Sequence, residues 1–185
     1  TALGKLDHPR PALFEEGAKA AISTISFGVF FAQGLANTVN AFGKMDHRSP
    51  VLFEEVAKAA ISRIEGGEFS AQGLANTVNA FGKMDHRSPV LFEEVAKAAV
   101  SRIQGGDFNA QNLANTVNAF GKMDHRCPVL FEEVAKAAIS RIKGDDFSAQ
   151  GLANTVNAFG KMDHLSPVLF EEVAKAAISR IKGDD

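Results

Sequence analysis

Hydrophobic and polar positions alternate along the chain with the spacing of α-helices, and the whole pattern recurs every 39 residues. In one copy, Leu74, Val78 and Phe81 recur at spacings of four and three, and a second run of helical period follows residues 84–87. No segment shows the regular alternation of a β-strand. Each copy therefore predicts two helices joined by a short turn.

Residues typical of helix ends define the two predicted helices. Ser70 is an N-cap residue, so the first helix is expected over residues 71–83. Ser88 and Pro89 are expected to begin the second helix as its N-cap and first position. The pair Gly105-Gly106 is expected to end it, because glycine adopts the left-handed conformation that closes many helices.

A period between 20 and 50 residues is typical of a solenoid, in which each unit buries its apolar faces only against its neighbours. We expect an all-α fold: an α-solenoid of 39-residue helix-turn-helix repeats that forms a superhelical stack. The chain begins within a first helix and lacks an initiator Met, so we interpret it as part of a longer array. The single array, 1–185, divides into a partial repeat, 1–29, and four complete repeats, 30–68, 69–107, 108–146 and 147–185.

Composition narrows the possible functions. The formal net charge of −2 lacks the bulk basic excess that marks many nucleic-acid binders, although a basic stripe can be hidden in a neutral total. No stretch approaches 18 apolar residues, so we predict no membrane-spanning helix. The single cysteine, Cys127, stands where other copies have serine and excludes an internal disulfide.

Polar residues of the first helix form one line. Gln72, Asn76, Asn79 and Lys83 lie within about 40° of a common direction, since successive helical residues rotate by about 100°. Stacking the repeats turns this line into four ladders. The sixteen candidate RNA- or peptide-binding residues are Gln33, Asn37, Asn40, Lys44, Gln72, Asn76, Asn79, Lys83, Gln111, Asn115, Asn118, Lys122, Gln150, Asn154, Asn157 and Lys161.

The chemistry of these ladders suits an extended polymer. Amides both donate and accept hydrogen bonds, so a row of them can read base edges or a peptide backbone. A neighbouring row of lysines can follow a chain of phosphates. Two simpler interpretations remain: amides that hydrogen-bond from repeat to repeat, and a plain solvated face.

Catalytic and metal chemistry is not expected. The Asp85-His86 pair recurs in every repeat, but one histidine per repeat places the ligands too far apart to converge on a metal. We interpret the pair as a turn-forming element. No nucleophile, base and oxyanion donor cluster together, so we do not expect an enzyme. No phosphate loop or cofactor motif is present, and we expect no cofactor.

The segment Phe-Ser-Ala-Gln-Gly-Leu-Ala-Asn-Thr-Val-Asn-Ala-Phe-Gly-Lys at 69–83, followed by a turn and Leu-Phe-Glu-Glu-Val-Ala, resembles the octotricopeptide repeat family and its relatives among RAP-domain proteins. The resemblance covers all 185 residues. It implies α-hairpins that bind organellar RNA through the first helix. Family members usually have Trp in the column of Asn79, and often Ala in the column of Gly82.

Two functions therefore remain open. The favoured one is a modular binder of single-stranded RNA, with roughly one nucleotide per repeat. The alternative is a protein-protein interaction scaffold, or a subunit of a larger assembly, that docks a protein or peptide on the Asn ladder or the Ala-rich second helices. The family resemblance implies an intracellular location in a chloroplast or mitochondrion.

Overall fold

The computed structural model of the chain describes residues 11–183, with side chains described from Ala12 to Ile181. The described residues form helices and turns with no β-strand, which confirms the all-α prediction. The helices are α1 (Pro11–Ser26), α2 (Ala32–Lys44), α3 (Pro50–Glu65), α4 (Ala71–Met84), α5 (Pro89–Gln104), α6 (Ala110–Lys122), α7 (Pro128–Lys143), α8 (Ala149–Lys161) and α9 (Pro167–Gly183).

The helices stack in two layers. Even-numbered helices, the first helices of the four complete repeats, pack in the order α2, α4, α6, α8. Odd-numbered helices, the second helices, pack in the order α1, α3, α5, α7, α9. Within each complete repeat the first helix also contacts the second, so the described part of the chain forms the expected α-solenoid. The first-helix layer is the more closely packed of the two.

A glycine-alanine contact explains this close packing. A Cβ atom added at Gly82 of α4 would lie 3.2 Å from Cα and 3.3 Å from Cβ of Ala119 in α6. The same contact joins Gly43 to Ala80 and Gly121 to Ala158. Because glycine has no side chain at this point, the backbones of successive first helices approach so closely that an added Cβ atom would require the neighbouring helix to shift by a few tenths of an ångström.

Aromatic clusters join each second helix to the first helix of the next repeat. The ring centroids of Phe53 in α3 and Phe81 in α4 lie 4.9 Å apart, and His86 lies 5.6 and 5.5 Å from them. Both phenylalanines are buried. Equivalent clusters are Phe14, Phe42 and His47; Phe92, Phe120 and His125; and Phe131, Phe159 and His164.

The Asp-His pair forms the turn between the helices, as predicted. Asp85 adopts a left-handed conformation with φ of 51°, and the backbone N–H of His86 donates to the carbonyl oxygen of Phe81 at 3.0 Å. This arrangement closes the helix, and aspartate is among the few non-glycine residues that tolerate it. Three further copies of the pair do the same, while Asp7-His8 lies outside the described residues. The packing of the imidazole against phenylalanine was not predicted.

The two helix starts differ from one another. The Ser70 hydroxyl accepts a hydrogen bond from the backbone N–H of Gly73 at 3.1 Å, which confirms it as the N-cap of α4. Ser88 is the N-cap of α5, as predicted, but its side chain makes no such bond. Its ψ of 79° departs from the extended value of 163° at Ser70, and the hydroxyl does not reach a free N–H. Pro89, which is preset for the first helical position, starts this helix instead.

An arginine in the second helix of each complete repeat ties neighbouring repeats together. Arg102 Nη2 in α5 donates to the carbonyl oxygen of Gly67, in the loop before α4, at 3.1 Å. Arg63 and Arg141 make the equivalent bonds to Gly28 and Gly106 at 3.1 and 3.3 Å. This link was missed because nothing local to the arginine indicates an acceptor 35 residues earlier.

We expect Gly82→Ala to destabilise the chain relative to Gly160→Ala. Both changes gain the same helix propensity, but only the Cβ at position 82 meets the next helix, whereas nothing lies within 4 Å of Gly160 among the described residues. Crowding a packed contact typically costs about 1–3 kcal/mol. Urea unfolding of both variants measures the difference. Equal stabilities would show that the glycine-alanine contact is not tight.

We also expect stability to fall as the pH drops below about 6.5, the ordinary pKa of histidine. Burial lowers the pKa of His86 and His125, although Glu54 and Glu93 respectively oppose the shift. The unfolded chain then binds more protons than the folded chain, so acid favours unfolding. Thermal melting between about pH 7.5 and 5.5 checks this. The double variant His86→Asn/His125→Asn should lose part of the pH dependence, and an unchanged slope would contradict the assignment.

Candidate functional site

The structure places all sixteen candidate residues on the first-helix layer. Each ladder glutamine and lysine is exposed, and each ladder asparagine is exposed or half-buried. The apolar residues on the other side of the same helices, such as Leu74, Val78 and Phe81, are fully buried. The four polar ladders therefore share one surface, which we call the amide-lysine face and define by those sixteen residues.

Lysines of the two layers differ in their ionic partners. Lys97 of α5 lies 2.7 Å from Glu94 and 3.9 Å from Glu93, and the hydrogen bond to Glu94 raises the pKa of Lys97. Lys58, Lys136 and Lys175 have the same pair of glutamate partners on their own helices. In contrast, the four lysines of the amide-lysine face make no ion pair with any described residue: Lys44, Lys83, Lys122 and Lys161.

Amides of this face have unused hydrogen-bonding groups. Within the described part of the chain, no side-chain hydrogen bond is formed by any of the twelve ladder glutamines and asparagines. A structural amide ladder would require such bonds between repeats. Their donors and acceptors are instead directed to the surroundings, where a ligand can meet them.

A groove opens between α2 and α4 at the amino-terminal end of the face. It has a volume of about 480 Å³, within the range of small-molecule sites. Two amides from each helix line it, and Gly73 contributes to its wall. The four amides are Gln33, Asn37, Gln72 and Asn76. The groove therefore combines the space for a planar group with donors and acceptors for its edge.

Positive charge collects at the opposite end of the first helices. Lys83, Asp85 and Arg87 are all exposed around the turn that follows α4, and they leave a net positive charge in this repeat. The turns after α2 and α6 carry the same three residue types. After α8 the arginine is replaced by Leu165, which is 86% exposed. A basic stripe is thus present in a chain whose formal net charge is −2.

Exposed apolar side chains form a second feature, which the sequence pattern did not indicate. The loop between α1 and α2 exposes Phe27, Val29 and Phe31, with exposures of 79%, 59% and 75%. The equivalent loops carry glycine, acidic and N-cap residues, as at Gly66, Glu68 and Ser70. A row of half-exposed valines also follows the second helices: Val51, Val90, Val129 and Val168. Comparing the copies position by position would have revealed the loop substitutions.

Side chains that could bind a metal do not cluster among the described residues. No three His, Cys, Asp or Glu side chains there come close enough together to hold a metal ion. Among the helices of the described range, none is both long and apolar enough to cross a membrane.

No curated protein matches the chain. The model of the RNA-editing substrate-binding complex 6 protein family matches residues 11–185, which is almost the entire sequence. Combined with the all-helical repeat fold, this match shows that the chain belongs to the RNA-editing substrate-binding complex 6 protein family.

Proposed function

We propose that the chain binds single-stranded RNA on the amide-lysine face, within an assembly that holds RNA-editing substrates. The ladder amides contact bases and the ladder lysines contact phosphates. One nucleotide is placed against each repeat, because the same groups recur once per repeat.

The contrast between the two sets of lysines carries this proposal. The lysine in the middle of α3, α5, α7 and α9 is paired with two glutamates, whereas the ladder lysines of the first helices have no ionic partner in the described range. A phosphate chain supplies the missing negative charge, and contact with it releases condensed counterions. Asn76 lies about 10 Å along the helix from Lys83, so base and phosphate contacts fall on one surface.

Family membership supports an RNA role. The name of the family refers to a complex that binds RNA-editing substrates, and this chain matches the family model over residues 11–185. Its first helices also resemble octotricopeptide repeats, which bind organellar RNA through the equivalent helix. We accordingly place the chain in an organelle, a chloroplast or mitochondrion, and assign it a binding role and no catalytic one.

A second candidate function is a protein-docking scaffold. The exposed Phe27, Val29 and Phe31 and the row of valines on the second helices favour it, because large apolar side chains gathered on a surface often mark a protein contact. Both roles fit one subunit, since the apolar loop and the valine row lie outside the amide-lysine face.

Replacement of Lys83, Lys122 and Lys161 by Gln should weaken binding to all single-stranded RNA sequences alike. It should also reduce the slope of log affinity against log salt by roughly 0.7 for each phosphate that a lysine no longer neutralises. A salt titration of a short RNA panel measures both effects. Helix content should persist, because all three side chains are exposed.

The matched control replaces Lys97, Lys136 and Lys175 by Gln. This variant has the same net charge, but it removes lysines already paired with glutamates, so the salt slope should stay at the wild-type value. Equal reductions in affinity for the two triple variants would point to non-specific charge attraction. Absence of binding by the wild type at low salt would exclude RNA and leave protein docking.

Replacement of Asn76, Asn115 and Asn154 by Ala should alter which bases are preferred while leaving the salt slope unchanged. A well-made amide contact to a base contributes about 1–3 kcal/mol of discrimination. Alanine is the strongest helix former, so the helices should persist. Affinities for the four homopolymers, measured at one salt concentration, test this expectation. A uniform reduction for all four would show that the asparagines do not read bases.

A further inference from the structure

One first helix differs from the other three at a position that lines the groove. The residue three places after the N-cap is glycine in α2, α4 and α8, at Gly34, Gly73 and Gly151, but it is Asn112 in α6. The N-cap itself also differs, since Asn109 stands in α6 where α4 and α8 have serine. The backbone N–H of Asn112 donates to Oδ1 of Asn109 at 2.8 Å, as the N–H of Gly73 donates to the hydroxyl of Ser70. The helix start therefore has the same form in α6 as in α4.

The geometry at the glycines shows where a side chain at this position lies. A Cβ atom at Gly73 would lie 3.2 Å from Phe69 Cδ1 and 3.8 Å from Ala36 Cβ of the preceding first helix. At Gly151 the corresponding distances are 3.3 Å to Phe147 and 3.8 Å to Ala114. A side chain here therefore enters the gap between successive first helices, which between α2 and α4 is the 480 Å³ groove.

Asn112 occupies that gap between α4 and α6. The residue is only 6% exposed, and its side-chain amide has no hydrogen-bond partner among the described residues. Most of the side chain thus fills the equivalent gap, while the polar atoms of its amide reach the surface. An amide at the surface of this gap can both donate to and accept from a ligand.

The hydroxyl of Thr116, close to Asn112 in the chain, also differs from its equivalents in the other copies. Thr77 and Thr155 donate to the carbonyl oxygens of Gly73 and Gly151 at 2.8 Å. Thr116, four residues after Asn112, is fully buried, and its hydroxyl has no hydrogen-bond partner in the described range. The repeat at 108–146 therefore carries a buried unsatisfied hydroxyl at a position where the threonines of the other three complete repeats are satisfied, and local departures of this kind are typical of functional positions.

We propose that Asn112 is a specificity-determining residue that makes the repeat at 108–146 select a smaller base than its neighbours. This inference rests on the proposed function as an RNA binder. The groove between α2 and α4, which Gly73 lines, has room for a purine. The groove that holds Asn112 lacks that room and presents an additional amide, so it disfavours a purine and bonds to the edge of a pyrimidine.

The test compares short oligoadenylate and oligouridylate of equal length at one salt concentration. Asn112→Gly restores the residue found in the other copies and should raise the ratio of adenylate to uridylate affinity by roughly 5- to 150-fold. The double variant Ser70→Asn/Gly73→Asn recreates the Asn109 and Asn112 pair in α4, and it should lower the same ratio. The salt slope should not change in either variant, because no lysine is altered.

The outcomes are distinguishable. If wild type binds RNA and Asn112→Gly leaves the adenylate-to-uridylate ratio unchanged or shifts it toward uridylate, the inference is overturned and RNA binding stands. If wild type binds neither RNA at low salt, the proposed function and the inference fall together. Circular dichroism of each variant checks that its helix content is retained.

Discussion

Close approach of successive first helices is the constraint on which the rest of the structure depends. A glycine in one helix faces an alanine in the next, as Gly82 faces Ala119, and the backbones meet where a side chain would otherwise separate them. The ladder lysine follows that glycine directly in each repeat. The contact therefore sets the separation between successive ladder residues, and with it the spacing of any polymer bound along the face.

Links across the second-helix side hold the stack in the same register. Phenylalanines from consecutive repeats meet in buried clusters with the turn histidine, and an arginine of each complete repeat reaches the loop that precedes its own first helix. These contacts are made only between neighbours, so stability is distributed along the array and is not concentrated in one core. The outer surface of the first helices does not take part in this packing, so it can carry polar residues.

The first-helix and second-helix layers differ in their charge, although the formal net charge of the chain is only −2. Glutamates pair with the lysine in the middle of each second helix from α3 to α9, while a basic stripe follows the carboxyl ends of the first helices. The copies also differ at a few positions within an almost constant backbone. Phe31 replaces an N-cap residue and Asn112 replaces a glycine, and each substitution gives one repeat a surface that the others lack.

The sequence by itself determined the helices, the repeat, the polar line on the first helix and the turn at Asp85-His86, because each depends on spacing within a single copy. Pairing of Lys97 with Glu93 and Glu94 could also have been predicted, since it is local to one helix. Only the tertiary structure decided that Gly82 is a contact point, that Arg102 bonds to Gly67, and that Gly73 and Asn112 line equivalent gaps. Those relations join residues 35 or more positions apart, and local periodicity carries no information about which atoms of adjacent repeats meet.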